Sequence, residues 1–103
     1  MKYGAIRTFS ALCNRWFASK AEAIRGEELA LLERAGEISN LEYQVKFTLY
    51  EKPKVTISID FAYDYNGDRI YEDQKGFMTR DFRTKLCWLK EKHNIDVVLS
   101  RRY

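Results

Sequence analysis

Two consecutive residues constrain this chain more than any others: Asn66-Gly67 stands between "KVTISIDFAYDY" and "DRIYEDQK". Both tolerate the positive φ of a type I′ turn, whose twist matches that of the strands it joins. The segment before the turn alternates Val55, Ile57, Ile59, Phe61 and Tyr63 with more polar positions, the period of a half-buried strand. A two-residue turn makes Tyr65 face Asp68. Counting outward in step, Asp60 falls directly across from Asp73, with Cβ atoms about 4.5–5.5 Å apart on one face. Like charges so placed repel, and a shared divalent cation would offset the repulsion.

Period two sorts the remainder of "YEDQKGF". Lys75 shares the face of Asp73 with Tyr71 adjacent, whereas Glu72 and Gln74 turn to the side of Ile59, Phe61 and Ile70. Gly76 closes the run and leaves room for a backbone to come near. Hard cations such as Mg²⁺ take one or two carboxylates together with waters and substrate phosphate. A lysine beside them suits orienting or deprotonating a water, or balancing charge in a phosphoryl transition state. The same residues equally suit a solvated hairpin carrying a surface ion pair worth about 0–1 kcal/mol. Spacing alone leaves both open.

Elsewhere, "SKAEAIRGEELALLERAG" predicts a helix with Ser19 as N-cap, Gly36 as its stop, and Ile24, Leu31, Leu32 and Ala35 as its apolar stripe. Its start fits a capping box, in which the Glu22 carboxylate returns a bond to Ser19. "LEYQVKFTLY" alternates Leu41, Tyr43, Val45, Phe47 and Leu49 against a polar side that includes Gln44, and a loop around "EKP" follows. A second helix is expected from Thr79, with Phe82, Leu86 and Leu89 on one face. "IDVVL" reads as a last strand, and "IRTFSALCNRWFASK" as a short strand or hairpin. The order implies one α/β domain over residues 1–103, a central mixed sheet flanked by helices.

The net charge of +3 divides into +4 over residues 1–20, −5 over 21–78 and +4 over 79–103. Basic ends around an acidic middle suit a protein that holds phosphates at its periphery and a cation at its centre; they also suit ordinary solvated faces. Cys13 and Cys87 belong to no CxxC pair, so both are expected as small buried hydrophobes. A single histidine, His93, argues against histidine-paired metal sites and, with no GxSxG elbow, against a Ser-His-Asp triad. It is expected to cap a helix dipole. No apolar run approaches the roughly 20 residues of a membrane-spanning helix, and "MKYGAIRTFS" lacks a signal peptide's hydrophobic segment. The expectation is a cytoplasmic protein without a membrane partner.

Taken in order, the glutamate of "SKAEA", then "AGEISNLEYQ", the aspartate of "IDF" and the DxK of "YEDQKG" resemble the PD-(D/E)xK nuclease superfamily. They are most similar to a small phage- and prophage-borne domain family of unknown function within it. The resemblance runs from about Arg7 to Leu99. It implies a restriction-endonuclease-like core, with Asp60 and Asp73 as the motif's acids, Lys75 as its lysine, and Glu22 as the helical acid many members add. Gln44 matches a glutamine that relatives usually follow with proline, where this chain has Val45. The usual "ADF" is "IDF" here, and Gln74 replaces a more usual aliphatic. The resemblance further implies a Mg²⁺- or Mn²⁺-dependent endodeoxyribonuclease leaving a 5′ phosphate, with Asp60, Asp73, Glu22 and the Gln74 carbonyl around the metal and Lys75 near the water. Branched DNA is then an expected substrate and a homodimer an expected assembly. Backbone phosphates would be held by a basic arm (Lys2, Arg7, Arg15, Lys20) and the second helix (Arg80, Arg83, Lys85, Lys90, Lys92). Against this stand a non-catalytic DNA-binding module on the same fold and a structural subunit of a phage assembly.

Overall fold

The computed structural model describes residues 6–100; Lys2 of the basic arm and Arg101 and Arg102 of the basic stretch 79–103 lie outside the described residues. Eight elements follow one another: β1 (Thr8–Ser10), β2 (Arg15–Phe17), α1 (Lys20–Arg34), β3 (Ser39–Glu51), β4 (Lys54–Tyr65), β5 (Asp68–Gln74), α2 (Arg80–His93) and β6 (Val97–Ser100). β3, β4 and β5 form an antiparallel meander, and β6 adds parallel to β5 after the α2 crossover. The result is an α/β fold: a four-stranded mixed sheet flanked by two helices, with β1 and β2 as a separate hairpin.

The Asn66-Gly67 turn takes positive φ at both residues (50° and 83°), and Tyr65 pairs with Asp68 as the register requires. Ladder pairs continue to Phe61–Glu72. Ser19 caps α1 by accepting from the Glu22 amide, and Gly36 follows the helix at φ 80°. Thr79 caps α2 in the same way, through the Phe82 amide. His93 is the last residue of α2, and its Nε2 lies 3.1 Å from the Thr48 carbonyl, tying that helix end to β3.

The apolar stripe expected on α1 is wrong. Ile24, Leu31, Leu32 and Ala35 are exposed, and the helix packs instead through Glu22, Ala23, Gly26 and Leu29. The reason is the Phe17 ring: a Cβ built on Gly26 would meet Phe17 Cζ at 2.6 Å, so the helix approaches through its smallest residues. The expectation of two buried thiols also fails in part, because Cys87 is exposed and Cys13 half-buried. On α2 the line packed inward is Phe82, Leu86 and Leu89, which leaves Cys87 one position off the core.

The core falls into two clusters. Phe17, Ala23, Leu29, Ile38, Phe61 and Tyr63 pack under α1. Leu49, Ile57, Ile59 and Leu89 pack under α2, with Phe47, Tyr71 and Phe82 against them. β4 contributes to both, and the boundary along it lies between Ile59 and Phe61, at Asp60.

Candidate functional site

Asp60 and Asp73 stand together one step beyond the Phe61–Glu72 pair, where their carboxylates enter the backbone ladder. The Asp60 amide donates to Asp73 Oδ1 at 2.9 Å, and the Gln74 amide donates to Asp60 Oδ2 at 3.0 Å. On the other flank, Gln44 lies between the Tyr43–Phe61 and Val45–Ile59 pairs. Its Nε2 bridges Asp60 Oδ1 (3.2 Å) and Glu22 Oε2 (3.1 Å). Gln44 takes φ 52°, uncommon for a residue with a side chain and the kind of backbone strain that collects at functional sites. Four elements therefore converge: α1 with Glu22, β3 with Gln44, β4 with Asp60 and β5 with Asp73. The Glu22 amide makes its half of the capping box, while its carboxylate is engaged with Gln44.

Lys75 follows immediately. Its amide donates to the Ser100 carbonyl of β6, and its ammonium lies 3.2 Å from Asp73 Oδ2 and 4.0 Å from the centre of the Phe82 ring. The ring, in the first turn of α2, holds the cation by the attraction of its π face. Asp73 is 1% exposed, and although Lys75 is near, Oδ2 receives no aligned hydrogen bond. The Lys75 ammonium is the group that offsets the burial of that oxygen.

Electrostatics point the same way. The Asp60 carboxyl is pushed up to about 8 by burial first and then by the negative charges of Asp73 and Glu22. Burial and Asp73 also raise Glu22. Among the described residues no three or more His, Cys, Asp or Glu side chains form a ready metal cage. The donor set nevertheless fits a hard cation: two adjacent carboxylates, one with a buried oxygen that receives no aligned hydrogen bond, and a third acid linked by an amide. Mg²⁺ is commonly held by one or two carboxylates with waters making up the rest.

Glu72 has a different office. It is 2% exposed and accepts two bonds from Arg25, at 2.5 Å from Nε and 3.0 Å from Nη2, and a third from the Tyr63 hydroxyl at 2.7 Å. Burial alone would lift its carboxyl, but the Arg25 and Tyr63 bonds hold it below the usual carboxylate range. Arg25 lies three residues after Glu22, so one turn of α1 fixes the helix to β5 and aims Glu22 at the site. Sequence reasoning missed Arg25, Tyr63 and Phe82 in these positions. The available signal was the i, i+3 spacing of Glu22 and Arg25 on a helix bound to cover an acidic strand.

The basic residues are dispersed. Arg80 and Arg83 are exposed at the start of α2, and Lys20 at the start of α1. Lys85 lies 3.8 Å from Asp81 on its own helix. Arg15 packs its guanidinium over Tyr43 and Phe17, and Arg7 lies over Trp16. A surface hollow of about 600 Å³ lies apart from the carboxylates, between Gly36–Ser39 and the Asn66-Gly67 turn. Arg69 in its wall is engaged by Asn40, Glu42 and Asp64.

No helix among the described residues is long and apolar enough to cross a membrane. A family model described as a protein of unknown function (DUF1064) matches residues 1–101. No curated protein and no solved structure matches the chain.

Proposed function

The chain belongs to the DUF1064 family, and from its site chemistry we propose that it is a metal-dependent endodeoxyribonuclease of the PD-(D/E)xK type. In this proposal it is phage- or prophage-encoded, works in the host cytoplasm, and hydrolyses DNA phosphodiesters during recombination, repair or junction resolution. One observation carries the proposal: Asp60 and Asp73 are locked side by side, with Asp73 Oδ2 buried without an aligned hydrogen bond and the Lys75 ammonium 3.2 Å away.

Asp60 and Asp73 would hold Mg²⁺ or Mn²⁺, with the Gln74 carbonyl as a neighbouring oxygen and Glu22 in support through Gln44. A cation there supplies Lewis acidity toward a phosphoryl oxygen and a more acidic bound water. The chain's own groups do the remainder. Lys75, steadied by Phe82, places a positive charge where phosphate charge develops. Gln44 keeps the Glu22 and Asp60 carboxylates in fixed relation despite their repulsion. Arg7, Lys20, Arg80 and Arg83 would hold backbone phosphates without reading bases, with Arg15, stacked on Tyr43, and Lys85, facing Asp81, in support. A symmetric dimer would present two such sites to two strands.

The test is incubation of the purified protein with Mg²⁺ or Mn²⁺ and a panel of plasmid, linear, flapped and four-way-junction DNA, beside Asp73→Asn. Cleavage that requires both the metal and Asp73 supports the proposal. Equal cleavage by both proteins, or by neither, rejects it. A non-catalytic DNA-binding module on the same fold predicts binding in EDTA and no cleavage with any metal.

A further inference from the structure

The β1–β2 hairpin carries an aromatic pair on its outer face. Phe9 and Trp16 are cross-strand partners, with ring centroids 5.4 Å apart at 63°, and they remain 47% and 52% exposed. Period two explains the division: Ser10 and Phe17, the next residues, are buried on the inner face. The Arg7 guanidinium lies 4.8 Å from the centre of the Trp16 ring. Cross-strand pairing accounts for the ring contact by itself. It does not call for a guanidinium on an exposed ring, nor for the absence of any acid from residues 1–20.

The hairpin is also fastened to the helix that carries Glu22 and to the core rings beside it. Ser10 Oγ donates to Glu27 Oε2 of α1 at 2.6 Å. Phe17 packs on Gly26 and against Tyr43 and Phe61, the residues that flank Gln44 and Asp60. α1, to which the hairpin is fastened, carries Glu22.

We propose that Phe9, Trp16 and Arg7 form a stacking platform for unpaired bases of a DNA single strand, on the hairpin that is fastened to α1. The inference rests on the nuclease proposal for its choice of DNA and deepens it by naming substrates with a single-stranded element. Exposed aromatics accept any base by stacking, and a guanidinium beside them adds cation–π attraction and a phosphate contact. Duplex DNA keeps its bases stacked on one another and offers this platform nothing but charge.

Because the chain has two tryptophans, a Trp88→Phe background makes the emission report on Trp16 alone. Titrations in EDTA with a 12-nucleotide DNA strand, the same sequence as RNA, and a blunt duplex then test binding without cleavage. Saturable quenching by the DNA strand but not the duplex is expected. Trp16→Ala, followed by the anisotropy of a labelled strand, should lower affinity about tenfold or more, and Trp16→Phe should restore most of it. Should Trp16→Ala disturb the hairpin, Arg7→Ala, outside both strands, still weakens binding and lowers its salt dependence. Equal binding of duplex and single strand, no quenching, unchanged affinity in Trp16→Ala, or preference for RNA would each overturn the assignment. So would a concentration-dependent change in Trp16 emission without DNA, which would mark the platform as a contact between copies of the chain. Strand binding without metal-dependent cleavage removes hydrolysis and leaves the platform standing; cleavage of blunt duplex without strand binding does the reverse.

Discussion

The amide of Asp60 donates to Asp73 Oδ1 at 2.9 Å, so one acid's backbone holds the other acid's side chain in place. The arrangement keeps two carboxyl groups adjacent, with the Lys75 ammonium 3.2 Å from Asp73 Oδ2 and the Asp60 carboxyl pushed up to about 8. It costs stability that a bound cation can return.

Mg²⁺ should raise the melting temperature of the protein, by an amount equivalent to about 2.7 kcal/mol at a hundredfold excess over Kd. For a domain of this size that is on the order of ten degrees or more. Asp73→Asn should abolish the shift while leaving the far-ultraviolet circular dichroism spectrum unchanged. Differential scanning calorimetry with and without the metal measures both.

Stability without metal should fall as pH rises. The Asp60 carboxyl sits at about 8 in the folded protein against an ordinary 3.8. Between those values the native state holds a proton that the unfolded chain has lost, so stability declines across that window as pH increases. Urea denaturation in EDTA at pH 5, 6.5 and 8 should show falling midpoints, with a shallower trend in Asp60→Asn.

Two ion pairs should respond very differently to loss of their arginine. Arg25→Ala strands Glu72, which is 2% exposed, and should cost about 3–5 kcal/mol. Arg69→Ala removes contacts to the more exposed Glu42 and Asp64 and should cost far less. Chemical denaturation of both variants beside the wild type gives the comparison.

Alanine normally stabilises a helix interior relative to glycine by about 1 kcal/mol. At position 26 the sign should reverse, because the added methyl meets Phe17 within the core. A net loss of about 1–2 kcal/mol is expected once overpacking is set against propensity. A thermal melt of Gly26→Ala decides the sign.

Much of the frame was legible because strand period and turn chemistry are local. Asn66-Gly67 and the alternation of β4 were enough to bring Asp60 to Asp73. The inward face of α1 was not, because Ile24, Leu31 and Leu32 make the louder pattern while the contact is made by Ala23, Gly26 and Leu29. That choice depends on Phe17, an aromatic in another element, and on no periodicity within the helix. Arg25 was equally silent, since its partner Glu72 lies far away in sequence and the pair exists only once α1 rests on β5. The positive φ of Gln44 had no forewarning in a strand that alternates cleanly from Leu41 to Leu49.

Glu22 and Arg25 occupy a single turn of α1, one addressing the acidic pair and the other clamping Glu72 beneath it. Folding and reactivity consequently draw on the same few ångströms of helix. No rotation of that turn can loosen the clamp and spare the carboxylate, so substitutions there will be filtered twice, once for a chain that holds together and once for a chain that works.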